Sequence, residues 1–122
     1  MLGTMILVTY YADPPFFTRK FVNEEYCRFF SVKAQQVVGR SCLESTPEKN
    51  RQQVRQKIDY CIENDAVLVS VEPNIMPDGT TTLMRWVDIP VKDRTGKIIE
   101  MLAIGTPMSD RRKTADRRNP DR

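Results

Sequence analysis

The strongest constraint on the fold is a change of hydrophobic period near Asn64-Asp65. Before it, Val54, Ile58, Cys61 and Ile62 recur at i, i+4, i+7, i+8, with Arg51, Gln52, Arg55, Gln56 and Asp59 between them, which is the pattern of an amphipathic surface helix. After it, Val67, Val69 and Val71 alternate with Leu68, Ser70 and Glu72, as a strand requires. Pro77-Asp78-Gly79 and Asp93-Arg94-Thr95-Gly96 then mark two turns. Three strands are therefore predicted, over 66–72, 81–91 and 97–106, joined as a meander.

The first half adds two strands and more helix. Residues 5–11 are apolar, β-branched or aromatic until Asp13-Pro14-Pro15 interrupts them, and 16–22 form a second extended stretch. Asn23 is placed as an N-cap, with Glu24 and Glu25 where a helix dipole favours negative charge and Tyr26, Phe29 and Phe30 on one face. A short helix over 32–38 ends at Gly39, and the long helix is predicted to begin at Ser45-Thr46-Pro47-Glu48. The order is β-β-α-α-α-β-β-β, an α+β arrangement best packed as one antiparallel sheet with helices on one face.

A chain of 122 residues suits one domain. We divide it into an N-terminal extension (1–4), a folded domain (5–110) and a basic polar tail (111–122). The formal charge of +3 comes from the end of the chain: residues 110–122 carry six basic and three acidic side chains, which leaves 13 of each sign from totals of 19 and 16. A neutral body argues against a nucleic-acid-binding face. The tail reads as a linker to a further domain. Three unpaired cysteines, Cys27, Cys42 and Cys61, fit a reduced, cytoplasmic setting, and no apolar run approaches the roughly 20 residues of a membrane span.

Phe21-Val22-Asn23-Glu24-Glu25-Tyr26-Cys27-Arg28-Phe29-Phe30, Val37-Val38-Gly39-Arg40, Pro77-Asp78-Gly79-Thr80, Arg85-Trp86, Pro90-Val91-Lys92-Asp93 and Gly96-Lys97-Ile98 together resemble, in order and spacing, the motifs of the PAS domain family, the sensory box. The resemblance covers roughly residues 6–110. It implies a five-stranded antiparallel sheet with helices across one face. It further implies a sensory module of signal transduction, as in two-component systems and transcription regulation, that binds a small ligand or dimerises and relays its state to an attached kinase, cyclase or transcription regulator. Pro107-Met108-Ser109 replaces the family's usual Asp-Ile-Thr exit to the signalling helix.

No catalytic residues are expected. Histidine is absent, which removes Ser-His-Asp and Cys-His sets and excludes a histidine-ligated haem. The cysteines lack the short spacing of a zinc site, so no metal is expected. Gly39-Arg40-Ser41-Cys42 resembles the flavin-binding light-oxygen-voltage branch, but the following Leu43-Glu44-Ser45-Thr46 departs from that branch's Arg-Phe-Leu-Gln, and Pro107 stands where its last-strand glutamine is expected. Flavin is therefore not the expected cofactor, and the ligand stays unidentified. Candidate pocket residues are Phe30, Val37, Leu43, Ile58, Val69, Met84, Trp86 and Ile104. Leu83, Val87 and Ile89 give the other face of their strand an apolar surface as well, which calls for a cover, and a homodimer through the sheet face or flanking segments supplies it. The alternative class is a small α+β enzyme of the hotdog or ketosteroid-isomerase kind, which would need a pocket carboxylate such as Asp88.

Overall fold

The meander forms because each of its strands offers an inner row to the helices. In the computed structural model, which describes residues 5–108, strands β3 (Leu68–Ile75), β4 (Thr81–Lys92) and β5 (Ile98–Pro107) pair antiparallel in sequence order. Strand β1 (Ile6–Tyr11) pairs with the free side of β5, and β2 (Arg19–Val22) pairs with β1. The five-stranded order is β2-β1-β5-β4-β3. The chain thus enters the sheet near its middle and closes it from the other end. Expected residues 1–4 and 111–122, and the last two residues of the expected domain, lie outside the described residues.

Between the two sheet halves run α1 (Glu24–Phe30), α2 (Ala34–Val37), two 3-10 turns and α3 (Arg51–Asn64). Asn23 fixes the start of α1: its Oδ1 accepts from Tyr26 N at 2.9 Å and from Leu7 N at 3.1 Å, while Nδ2 donates to the Met5 carbonyl. One side chain caps the helix and stitches it to β1. The core joins Ile6, Val8, Tyr10, Met84, Trp86, Met101 and Ala103 of the sheet to Tyr26, Phe30, Leu43, Val54, Ile58 and Cys61 of the helical side. Among the described residues, no helix is long and apolar enough to cross a membrane.

Two boundaries differ from expectation. The stretch 16–18 does not extend β2, because Asp13 folds it into a turn: Phe16 N and Phe17 N donate to the Asp13 carbonyl, and the Asp13 carboxylate accepts from Thr18 N and Thr18 Oγ1. Phe17 is thereby held at φ 52° with its ring fully buried. The long helix also starts later than Ser45. Cys42–Ser45 and Glu48–Asn50 are 3-10 turns, and the α-helical run begins at Arg51. Pro73 lies inside β3, which it can do because β3 is an edge strand.

The outer face of the sheet carries two largely apolar rows, flanked by rows that include Arg85 and Thr106 on one side and Glu100 on the other. Val69, Val87, Ile104 and Leu7 stand in register across four strands, and Ile89, Leu102, Thr9 and Phe21 form a second row. Val67, Val69, Val71 and Phe21 are each at least half exposed.

Candidate functional site

Strand β3 presents its polar residues, not its valines, to the interior. Ser70, Glu72 and Asn74 point toward α3, opposite Val69 and Val71, and Glu72 and Asn74 are buried. The partner that makes this tolerable is Lys57. It lies three residues after Val54 and four before Cys61, hence on the buried stripe of α3, and its ammonium reaches across to the sheet. Lys57 Nζ donates to Glu72 Oε2 at 2.5 Å, to Asp88 Oδ1 at 2.9 Å and to Ser70 Oγ at 3.1 Å. Ser70 Oγ in turn donates to Glu72 Oε2 at 2.7 Å.

Asp88 is the hub of this network. Its second oxygen accepts from Tyr10 Oη at 2.5 Å, so both carboxylate oxygens are engaged. Burial pushes the Tyr10 hydroxyl well above the ordinary tyrosine range, and the Asp88 carboxylate beside it pushes it further. For Lys57, burial pulls the ammonium down, but Asp88 and Glu72 outweigh it and the net shift is upward. One buried cation thus serves two carboxylates, with hydroxyls satisfying what remains.

A second polar chain lies beside it. Trp86 Nε1 donates to Asn74 Oδ1 at 3.0 Å, and Asn74 Nδ2 reaches the carbonyl and hydroxyl of Ser45, each at 3.4 Å. The Trp86 indole lies flat on Gly105, its register partner on β5, where a Cβ would sit 2.5 Å from the ring. Glycine is what lets the ring approach the sheet.

These groups line a cavity of about 50 Å³ bounded also by Val8, Tyr26, Cys42, Val54, Ile58 and Ala103. Water claims roughly 30 Å³ in the liquid. The space therefore matches a few waters rather than a large ring system. Arg19, Tyr26 and Ser45 also line a neighbouring open groove of about 250 Å³, walled by Phe30, Val32, Val37, Ile75, Met76 and Pro77. Arg19 is held at this boundary by its backbone: its N–H donates to the Arg40 carbonyl, its carbonyl accepts from Gly39 N, and Gly39 turns the chain at φ 89°.

The eight candidate pocket residues divide. Ile58 and Trp86 line the cavity, and Phe30 and Val37 line the groove. Leu43 and Met84 are buried in the core and border neither space. Val69 and Ile104 lie on the outer face of the sheet, Val69 at 55% exposure, because the Lys57 network fixes the register that turns Glu72 inward. The side chains that give the cavity its chemistry, Tyr10, Arg19, Lys57, Glu72 and Asn74, fall outside the expected set. The position of Lys57 among Val54, Ile58 and Cys61 was the available signal.

Cys42 also borders the cavity, and burial pushes its thiol from 9.0 up to about 12, with Arg19 the largest opposing influence. A folded-state pKa above the unfolded one means that the native state keeps a proton the unfolded chain has released, so stability falls as pH rises from about 9 toward 12. Tyr10 and Lys57, both shifted upward, add to the loss above about pH 10. We expect Cys42 alone to account for about 2–3 kcal/mol between about pH 9 and 11. Denaturant titrations across that range should show a shallower decline for Cys42→Ala, and parallel curves would remove the thiol from the explanation.

Comparison with known proteins follows the same lines. A family model described as the PAS fold matches residues 17–113. Among solved structures, the chain is similar to a light-oxygen-voltage domain studied with a flavin analogue (TM-score 0.77, 16% identity, covering 98% of this chain and 88% of that one). It is also similar to the PAS domain of a protein from Colwellia psychrerythraea (TM-score 0.79, 11% identity, 88% of each chain). An RNA-binding light-oxygen-voltage receptor gives TM-score 0.79 at 18% identity over 90% of this chain and 31% of that one. No curated protein matches the chain.

Proposed function

The chain belongs to the PAS family, and on that premise we propose that it is a cytoplasmic sensory module that takes a small molecule between its sheet and helices and relays the bound state to an attached output domain. The observation that carries this reading is the polar lining of the cavity. A core serving packing alone has no use for a lysine, two carboxylates and a tyrosine hydroxyl gathered beside a space that water can enter.

Relay to a kinase, cyclase or transcription regulator follows from the family and from the basic tail after the last strand. The apolar rows on the outer sheet face support a homodimer as the transmitting unit: covering Val69, Val87, Ile104 and Leu7 removes apolar surface from water with no cost to the pocket behind them.

Flavin is not the ligand we propose. Trp86 seated on Gly105 leaves about 50 Å³ in the cavity. Nor do we propose catalysis: with both oxygens of Asp88 bound to Tyr10 and Lys57, its carboxylate is poorly placed to take a substrate proton.

Native mass spectrometry of the purified chain tests the reading directly. The expected result is a dimer that carries, or takes up from a metabolite extract, a non-covalent small molecule. A monomer at high micromolar concentration that takes up nothing would count against both sensing and assembly.

A further inference from the structure

Arg19 is a buried cation without a carboxylate of its own. Its side chain is 3% exposed, and its guanidinium carries five N–H donors. Nη1 donates to the Val37 carbonyl at 3.2 Å, and the Tyr26 hydroxyl is close enough for the guanidinium to make it hold its proton less tightly. The one carboxylate nearby, Glu44, stands 3.9 Å away and is already gripped by Arg40 through Nε at 2.8 Å and Nη2 at 2.9 Å. Desolvating a guanidinium this fully is costly unless an anion meets it. Arg19 also lines both the inner cavity and the groove.

Beyond Arg19, Tyr26, Ser45 and the Arg40-bound Glu44, the groove walls are apolar, from Phe30 and Val37 on one side to Ile75, Met76 and Pro77 on the other. We infer that the groove binds a small organic carboxylate, with the carboxylate paired to Arg19 and an apolar body lying along these walls. Planar bidentate pairing is the geometry in which arginine holds a carboxylate best. A volume of about 250 Å³, at roughly 30 Å³ per water-sized group, takes about eight non-hydrogen atoms. The assignment rests on the sensory reading above and narrows it to one ligand class.

Hexanoate, which has that size, is the probe, against hexan-1-ol and hexylammonium as neutral and cationic matches. Each is titrated into the purified chain and followed by amide shifts and by the indole N–H resonance of Trp86, the only tryptophan. Hexanoate is expected to bind at least about tenfold more tightly than hexan-1-ol, and hexylammonium to be rejected. Arg19→Gln should erase that preference. Because Arg19 is buried, its variant is backed by Glu44→Gln at an exposed position, which removes the competing carboxylate and should tighten hexanoate without changing hexan-1-ol.

Equal binding of hexanoate and hexan-1-ol, no binding of hexanoate, or a preference that Glu44→Gln leaves unmoved would each overturn the assignment. A non-acidic molecule retained by the chain in native mass spectrometry would overturn it while leaving the sensory reading in place.

Discussion

Replacing Lys57 with methionine is expected to destabilise the domain by about 3–5 kcal/mol at neutral pH, the range for removing one partner of a buried ion pair. Methionine is unbranched and one atom shorter than lysine, so most of the apolar stem beside Val54 and Ile58 is kept. What is lost is the charge that lies between Glu72 Oε2 at 2.5 Å and Asp88 Oδ1 at 2.9 Å. Both carboxylates then sit buried with only Ser70 and Tyr10 as donors, and the desolvation of two like charges is no longer offset by a cation.

Adding Glu72→Gln and Asp88→Asn should recover much of the loss by making the cluster neutral. Urea denaturation at neutral pH measures both the loss and its recovery. A Lys57→Met variant as stable as the parent at neutral pH would mean that the network is not the stabilising partner set described here.

The helix order, the capping by Asn23 and the meander with its two turns were legible because each depends on residues close in sequence. Asn23 was placed by local chemistry, and the structure adds only its bonds to Leu7 and Met5 on β1. The five-stranded architecture followed from that order and from the motif resemblance.

The interior was harder to read for a physical reason. Alternation along β3 says that two faces exist but not which one is buried, and Val67, Val69 and Val71 make the wrong face attractive. The choice is made by Lys57 on another element, which satisfies Glu72 and Asp88 inside. A pocket inferred from apolar residues alone therefore finds Ile58 and Trp86 but includes Val69 and Ile104 and omits Arg19. The turn at Asp13-Pro14-Pro15 was legible but its reach was not: Phe16 and Phe17 read as strand, and a carboxylate accepting two bonds from Thr18 carries the turn through them.

Trp86→Ala should be the most damaging truncation within the cavity wall, at about 3–5 kcal/mol. Trp86 is 7% exposed, and its indole rests on the bare backbone of Gly105, which offers nothing to collapse into the vacated space. The substitution also strips Asn74 Oδ1 of its donor, a buried acceptor whose loss adds to the packing term. Trp86→Phe separates the two contributions: most of the ring contact stays, the N–H goes, and a loss of about 1–3 kcal/mol is expected. The slot left by Trp86→Ala has the shape of an indole and one hydrogen-bond acceptor at its end. Free indole should therefore raise the melting temperature of Trp86→Ala and leave the parent unchanged, since only a species that binds the folded state shifts the equilibrium. Circular dichroism follows the melting without the lost fluorophore. A loss below about 1 kcal/mol for Trp86→Ala would fall outside the range for a packed aromatic ring and would show that the indole is not held against Gly105. Rescue by indole would instead mean that the cavity enlarges in place, and that the volume open to a ligand in this domain is set by the one ring that lies across the sheet.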